Sequence, residues 1–151
     1  MQRGTRWIVV AMVAGLALSA CSKAAQEPEA TGHATVKLEA VKGQPDLKRV
    51  ILSAEAVKRI DVQTVKVREA QAESGATQKV IPYAAVLYDA NGKTWAYANP
   101  GLRTFVRAPI TVDRIDGDDA ILVDGPPSGT TIVTVGAEEL FGTEFGLFKE
   151  D

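Results

Sequence analysis

Apolar positions divide the chain into four stretches. Trp7 to Leu18 is an unbroken apolar run, bracketed by Arg3 and Arg6 before it and small residues after it. Residues 22–49 carry no sustained apolar period and are rich in Ala, Glu, Lys and Pro, the pattern of a flexible tether. Val50-Ile51-Leu52 then opens the ordered part. Ser53 reads as an N-cap, Glu55 suits the first turn, and Ala54, Val57 and Ile60 recur at helical spacing, so a short helix is expected over Ala54–Ile60. Val62, Val65 and Val67 alternate as a strand, and Glu69 to Lys79 is polar and loop-like.

From Val80 onward the period is two. Val80 to Tyr88 is strand-like, with Pro82 confined to an edge or bulge. Asn91-Gly92 is a hairpin signal, after which Thr94 to Ala98 puts Trp95 and Tyr97 on one face and Ala96 and Ala98 on the other. Thr104 to Asp113 follows as a long strand, with Val106, Ala108, Ile110 and Val112 alternating against Phe105, Arg107 and Thr111. A second turn at Asp116-Gly117 leads to Ala120–Val123, and Thr131–Val135 is the last strand. A helical turn is expected over Ala137–Phe141. Short strands about ten residues apart predict a mainly β fold. The expected form is a small antiparallel barrel or sandwich of about six strands with one short helix, after a signal peptide and tether.

Composition sharpens this outline. The 151 residues hold 17 Lys and Arg against 19 Asp and Glu, which is no basic footprint for nucleic acid. One Cys (Cys21), one His (His33) and two Met supply neither a disulfide framework nor a Cys/His zinc set, so no metal site or cofactor is expected. His33 falls in the tether, where it has no partner for ligation or for a catalytic triad. Asp113, Asp116, Asp118 and Asp119 lack the alternate spacing and distant Glu of a calcium loop, and read as a solvated turn. Gly125-Pro126-Pro127-Ser128-Gly129 has no following Lys or helix for a phosphate cradle. No catalytic residues are assigned and the chain is read as a non-enzyme.

Leu18-Ser19-Ala20-Cys21 resembles a bacterial lipobox. The resemblance implies that residues 1–20 are a lipoprotein signal peptide and that Cys21 becomes a lipidated amino terminus. Multiple acyl chains then anchor the protein to a membrane without crossing it. Residues 21–49 would be the lipidated terminus and flexible linker, with an r.m.s. reach of about 30 Å. Residues 50–151 would be the folded domain, held in the cell envelope outside the cytoplasm. Loss of Arg3 and Arg6 would leave 15 of the 17 basic residues against all 19 acidic ones. Ser22 resembles an outer-membrane delivery signal, and the choice between inner and outer membrane stays open.

A second resemblance covers Val80 to Gly146. It comprises Ile81-Pro82-Tyr83-Ala84-Ala85-Val86, Gly92-Lys93-Thr94-Trp95-Ala96-Tyr97, Phe105-Val106-Arg107-Ala108-Pro109-Ile110, Gly125-Pro126-Pro127-Ser128-Gly129 and Val133-Thr134-Val135-Gly136-Ala137. This series is similar to the membrane-proximal domain of periplasmic adaptors, the membrane fusion proteins of resistance-nodulation-division efflux pumps. Val50 to Ala56 with Ile60 to Thr64 resembles the amino-terminal part of the same domain. A full adaptor carries a lipoyl-like domain and a helical hairpin between the two pieces; here only Arg68 to Lys79 separates them.

The resemblance implies an accessory of a transport system that works by protein contact, with an efflux pump or a full-length adaptor as partner. Trp95, Tyr97 and Phe105 are the candidate partner-binding side chains. The same three are what a β domain with few aromatics needs for its own core. The competing expectation is a free-standing envelope lipoprotein that binds a ligand or a hard cation.

Overall fold

The computed structural model describes residues 35–72 and 74–146. The expected signal peptide, Cys21 and His33 lie outside the described residues. The elements run β1 (Val36–Val41), β2 (Gln44–Leu52), α1 (Ala54–Arg59), β3 (Gln63–Lys66), β4 (Arg68–Gln71) and β5 (Thr77–Pro82). A 3-10 turn (Tyr83–Ala85) leads to β6 (Leu87–Tyr88), β7 (Thr94–Gly101), β8 (Thr104–Asp116), β9 (Asp119–Asp124), β10 (Thr131–Val135) and α2 (Ala137–Glu144). Every pairing is antiparallel. The main path is β3-β10-β7-β8-β9-β5-β4, with β2 joined to the start of β8, β1 to β2, and β6 to β7.

The mainly β, curled antiparallel architecture agrees with the sequence pattern, with more strands than the six expected and helices at the two places expected. Val36–Leu52, assigned mostly to the tether, is a hairpin; Lys42-Gly43 reverses it and Gly43 takes φ 79°. Residues 69–79, read as loop, hold most of β4 and the start of β5, paired from Arg68↔Val80 to Gln71↔Thr77. The single strand expected over Val80–Tyr88 is interrupted by the 3-10 turn. The terminal helix continues past Phe141 to Glu144.

Local chemistry sets the element ends. Ser53 caps α1, its hydroxyl accepting from Ala56 N–H at 3.1 Å. The β6–β7 hairpin closes through Asp89 N–H to the Lys93 carbonyl (2.9 Å) and Gly92 N–H to the Asp89 carbonyl (3.0 Å). Gly92 has φ 75°, which side chains rarely tolerate. Gly136 precedes α2 at φ 84°, and a Cβ there would sit 3.1 Å from the Ile60 carbonyl. That absent side chain lets the end of α1 pack against the start of α2.

β7 and β10 are buried on both faces. On one side Tyr97 and Val133 join Val50, Leu52, Phe105, Ala137 and Leu140 beneath the helices. On the other, Ala96 and Ile132 join Val67, Ile81, Ile110, Ala120 and Leu122 inside the curl. Strand alternation explains the division, since neighbours along a strand point to opposite faces.

Candidate functional site

The helix-side core contains a charged centre. Tyr97 on β7 stands directly opposite Arg107 on β8. Glu144, the last residue of α2, reaches between them. Arg107 donates from Nε to Glu144 Oε2 at 2.7 Å and from Nη2 to Oε1 at 3.1 Å, a bidentate pair. The Tyr97 hydroxyl donates to Oε2 at 2.6 Å, and the Lys48 backbone N–H donates to Oε1 at 3.1 Å. Each carboxylate oxygen thus accepts two hydrogen bonds, leaving Glu144 no free lone pair for a ligand or a proton-transfer role. Arg107 also donates to the Asp46 carbonyl at 3.2 Å, and Lys48 Nζ to the Glu144 carbonyl at 3.2 Å.

The guanidinium is enclosed by aromatic faces. Its Cζ lies 4.5 Å from the Trp95 ring centroid, 4.9 Å from Phe145 and 5.6 Å from Phe141. Burial pushes the Tyr97 phenol well above its ordinary range, and its bond to the Glu144 carboxylate pushes it further. The centre ties α2 to β2, β7 and β8 and is chemically saturated. It is a latch.

Trp95 connects the latch to the surface. Its indole N–H donates to Asp89 Oδ2 at 3.0 Å. Asp89 Oδ1 accepts from the backbone N–H groups of Asn91 (2.8 Å) and Lys93 (2.9 Å). The indole bond is the main reason the Asp89 carboxyl is held below its ordinary value; the two backbone donors add to it. Beside Trp95 runs an open groove of about 650 Å³, walled by Tyr88, Lys93 and Thr94 on one side and Pro109 to Val112 on the other. The β7–β8 ladder ends at Thr94↔Ile110, whereas β8 continues to Asp116. The groove occupies that open corner.

The three candidate contact residues fall in different places. Tyr97 (0 % exposed) and Phe105 (2 %) are core side chains, so neither can meet a partner while the domain is folded. Trp95 is half-buried and lines the groove. Sequence reasoning missed Arg107 and Glu144. Arg107 shares the strand face of Phe105, and Glu144 lies seven residues after Ala137 and four after Leu140 on the apolar face of α2. A carboxylate on that face and an arginine beside the Trp95/Tyr97 face are the signals that could have paired them. In the Asp113–Asp119 stretch Asp113 meets its neighbour Arg114 at 2.8 Å, and Asp119 meets Arg68 of β4 at 2.7 Å. Among the described residues no group of three or more His, Cys, Asp or Glu converges as a metal site would. No described helix is long and apolar enough to cross a membrane.

No family model matches the chain, and no curated protein matches it. One solved structure is similar. It is the NMR structure of 180 residues encompassing the N-terminal metal-binding site and the membrane proximal domain of SilB from Cupriavidus metallidurans CH34. The likeness has 18 % sequence identity and a TM-score of 0.42, and it covers 78 % of this chain and 73 % of that one.

Proposed function

We propose that this chain is a non-catalytic, lipid-anchored envelope protein that serves as an adaptor-like component of a resistance-nodulation-division efflux assembly. Cys21 carries the anchor, and the β domain acts by contact with a pump or a full-length adaptor. The observation that carries the reading is the ordered residue series from Val80 to Gly146. Its segments fall on consecutive elements, β5 through α2, of one continuous sheet-and-helix unit. The groove beside Trp95 is the contact surface in this reading. It offers aromatic and aliphatic walls (Tyr88, Trp95, Ile110, Val112) with Lys93 at the rim. The saturated latch beneath it supplies rigidity.

The test is in-cell crosslinking of the tagged full-length protein with mass spectrometry of captured partners, alongside Cys21→Ser. Capture of a pump or adaptor of this class, lost with Cys21→Ser and reduced several-fold by Tyr88→Ala, is the expected result. Recovery of only abundant envelope proteins, unchanged in either variant, would overturn it.

A further inference from the structure

The outer edge of β1 has a pattern that matches a second copy of itself. Among the described residues β1 pairs with β2 alone. Ser53 N–H donates to the Thr35 carbonyl at 3.0 Å, and the register continues through Lys37↔Ile51 and Glu39↔Arg49. These odd-numbered residues are therefore the ones exchanging backbone bonds with β2. Val36, Leu38 and Ala40 turn their N–H and C=O groups to the open edge.

The side chains of Val36 and Leu38 share a face with Leu52 and Val50, their cross-strand partners, which are buried in the helix-side core. Yet Val36 is 45 % exposed and Leu38 40 %. The apolar face runs on to the edge of the sheet, where no other described residue pairs with it. Edge strands that resist pairing carry proline, inward charges, bulges or a row of lysines. β1 has no proline and no inward charge, and its register shift lies at Ala40/Val41, at the hairpin end of the strand. Its outer face carries one positive and one negative residue, Lys37 and Glu39, placed symmetrically about Leu38.

We propose that two copies of this chain associate through antiparallel pairing of β1 with β1 of the second copy, on a two-fold axis at Leu38. In that register Leu38 faces its own counterpart, Val36 faces Ala40, and Lys37 of each copy faces Glu39 of the other. The open-edge backbone groups of Val36, Leu38 and Ala40 form the ladder. Lys37 and Glu39 then occupy the non-hydrogen-bonded positions, where opposed side chains come closest. Lys37 meets Glu39 of its own strand at 2.8 Å, but its side chain is 72 % exposed and free to reach across. The interface is isologous, as two-fold symmetry requires, and it closes at two copies. It uses neither the groove nor the Cys21 anchor, so it stands apart from the efflux reading.

The test uses full-length protein co-expressed with two different tags, extracted in mild detergent, and scored by co-capture and by sedimentation mass. Wild type should co-capture as a dimer. Lys37→Glu alone puts Glu against Glu twice, and Glu39→Lys alone puts Lys against Lys twice. Each should lower co-capture by about fivefold or more. Co-expressing the Lys37→Glu chain with the Glu39→Lys chain restores opposite charges at both positions and should restore the dimer. That rescue separates pairing from any folding defect in the single variants. A monomeric wild type, co-capture indifferent to single reversal, or failure of the mixed pair to recover would each overturn the proposal.

Discussion

Two arginine–carboxylate contacts in this protein have the same length and different surroundings. Arg107–Glu144 and Arg68–Asp119 both close to 2.7 Å. The first pair is 4 % and 2 % exposed, the second 55 % and 39 %. At Arg107 the charges have left water and every carboxylate lone pair and aromatic face around them is occupied. At Arg68 water competes for both partners and screens them. Distance therefore says little about what an ion pair does for this fold; the partners left behind when it breaks say more. The buried pair fastens α2 to three strands, β2, β7 and β8. The exposed pair bridges β4 to the start of β9.

The largest expected effect comes from cutting the buried pair on one side. Glu144→Ala strands Arg107 and the Tyr97 hydroxyl in the core and should cost about 3–5 kcal/mol in urea unfolding. That is a large share of the stability of a domain this size, so the variant should also release α2 to rapid amide exchange. Next is Tyr97→Phe, which removes one buried bond to a charged group and should cost about 1.5–3 kcal/mol.

The same variant tests the pH dependence. Tyr97 holds its proton more tightly folded than unfolded, so its contribution is whole below about pH 10 and falls as pH rises beyond it. Wild type should lose stability in that alkaline range more steeply than Tyr97→Phe; parallel curves would contradict the assignment.

Smaller effects belong to the surface. Asp119→Ala should shift stability by about 1 kcal/mol or less and lose even that in high salt. Asp89 works in the opposite pH sense from Tyr97. Its lowered value means that its bond to Trp95 is whole above its ordinary value and lost as acid carries the pH down through the folded value. In protein beginning at Cys21, Trp95 is the sole tryptophan, and its indole emission should change only in that acidic range. A change near neutrality would place its cause elsewhere.

The same contrast governs what the sequence revealed. β7 to β10 were legible because alternating apolar residues are punctuated by Asn91-Gly92 and Asp116-Gly117, local signals that need no knowledge of partners. β1 was missed although Val36, Leu38 and Ala40 alternate with Lys37 and Glu39. The run is short and sits in an Ala-, Lys- and Glu-rich stretch, and its inner face is completed only by β2 and the edge of the core. Aromatic clustering drew attention to Trp95, Tyr97 and Phe105, but only the fold assigns two of them to the interior. The latch was the least legible part. Arg107 and Glu144 lie on different elements, and a charged residue in an amphipathic pattern is read as facing water until its partner is known.

A pair of double-mutant cycles tests the central claim most directly. One combines Arg107→Ala with Glu144→Ala and the other Arg68→Ala with Asp119→Ala, both followed by urea unfolding. The account predicts a coupling of about 2 kcal/mol or more for the buried pair and below about 1 kcal/mol for the exposed one. Equal couplings, or a larger one at the surface, would contradict it.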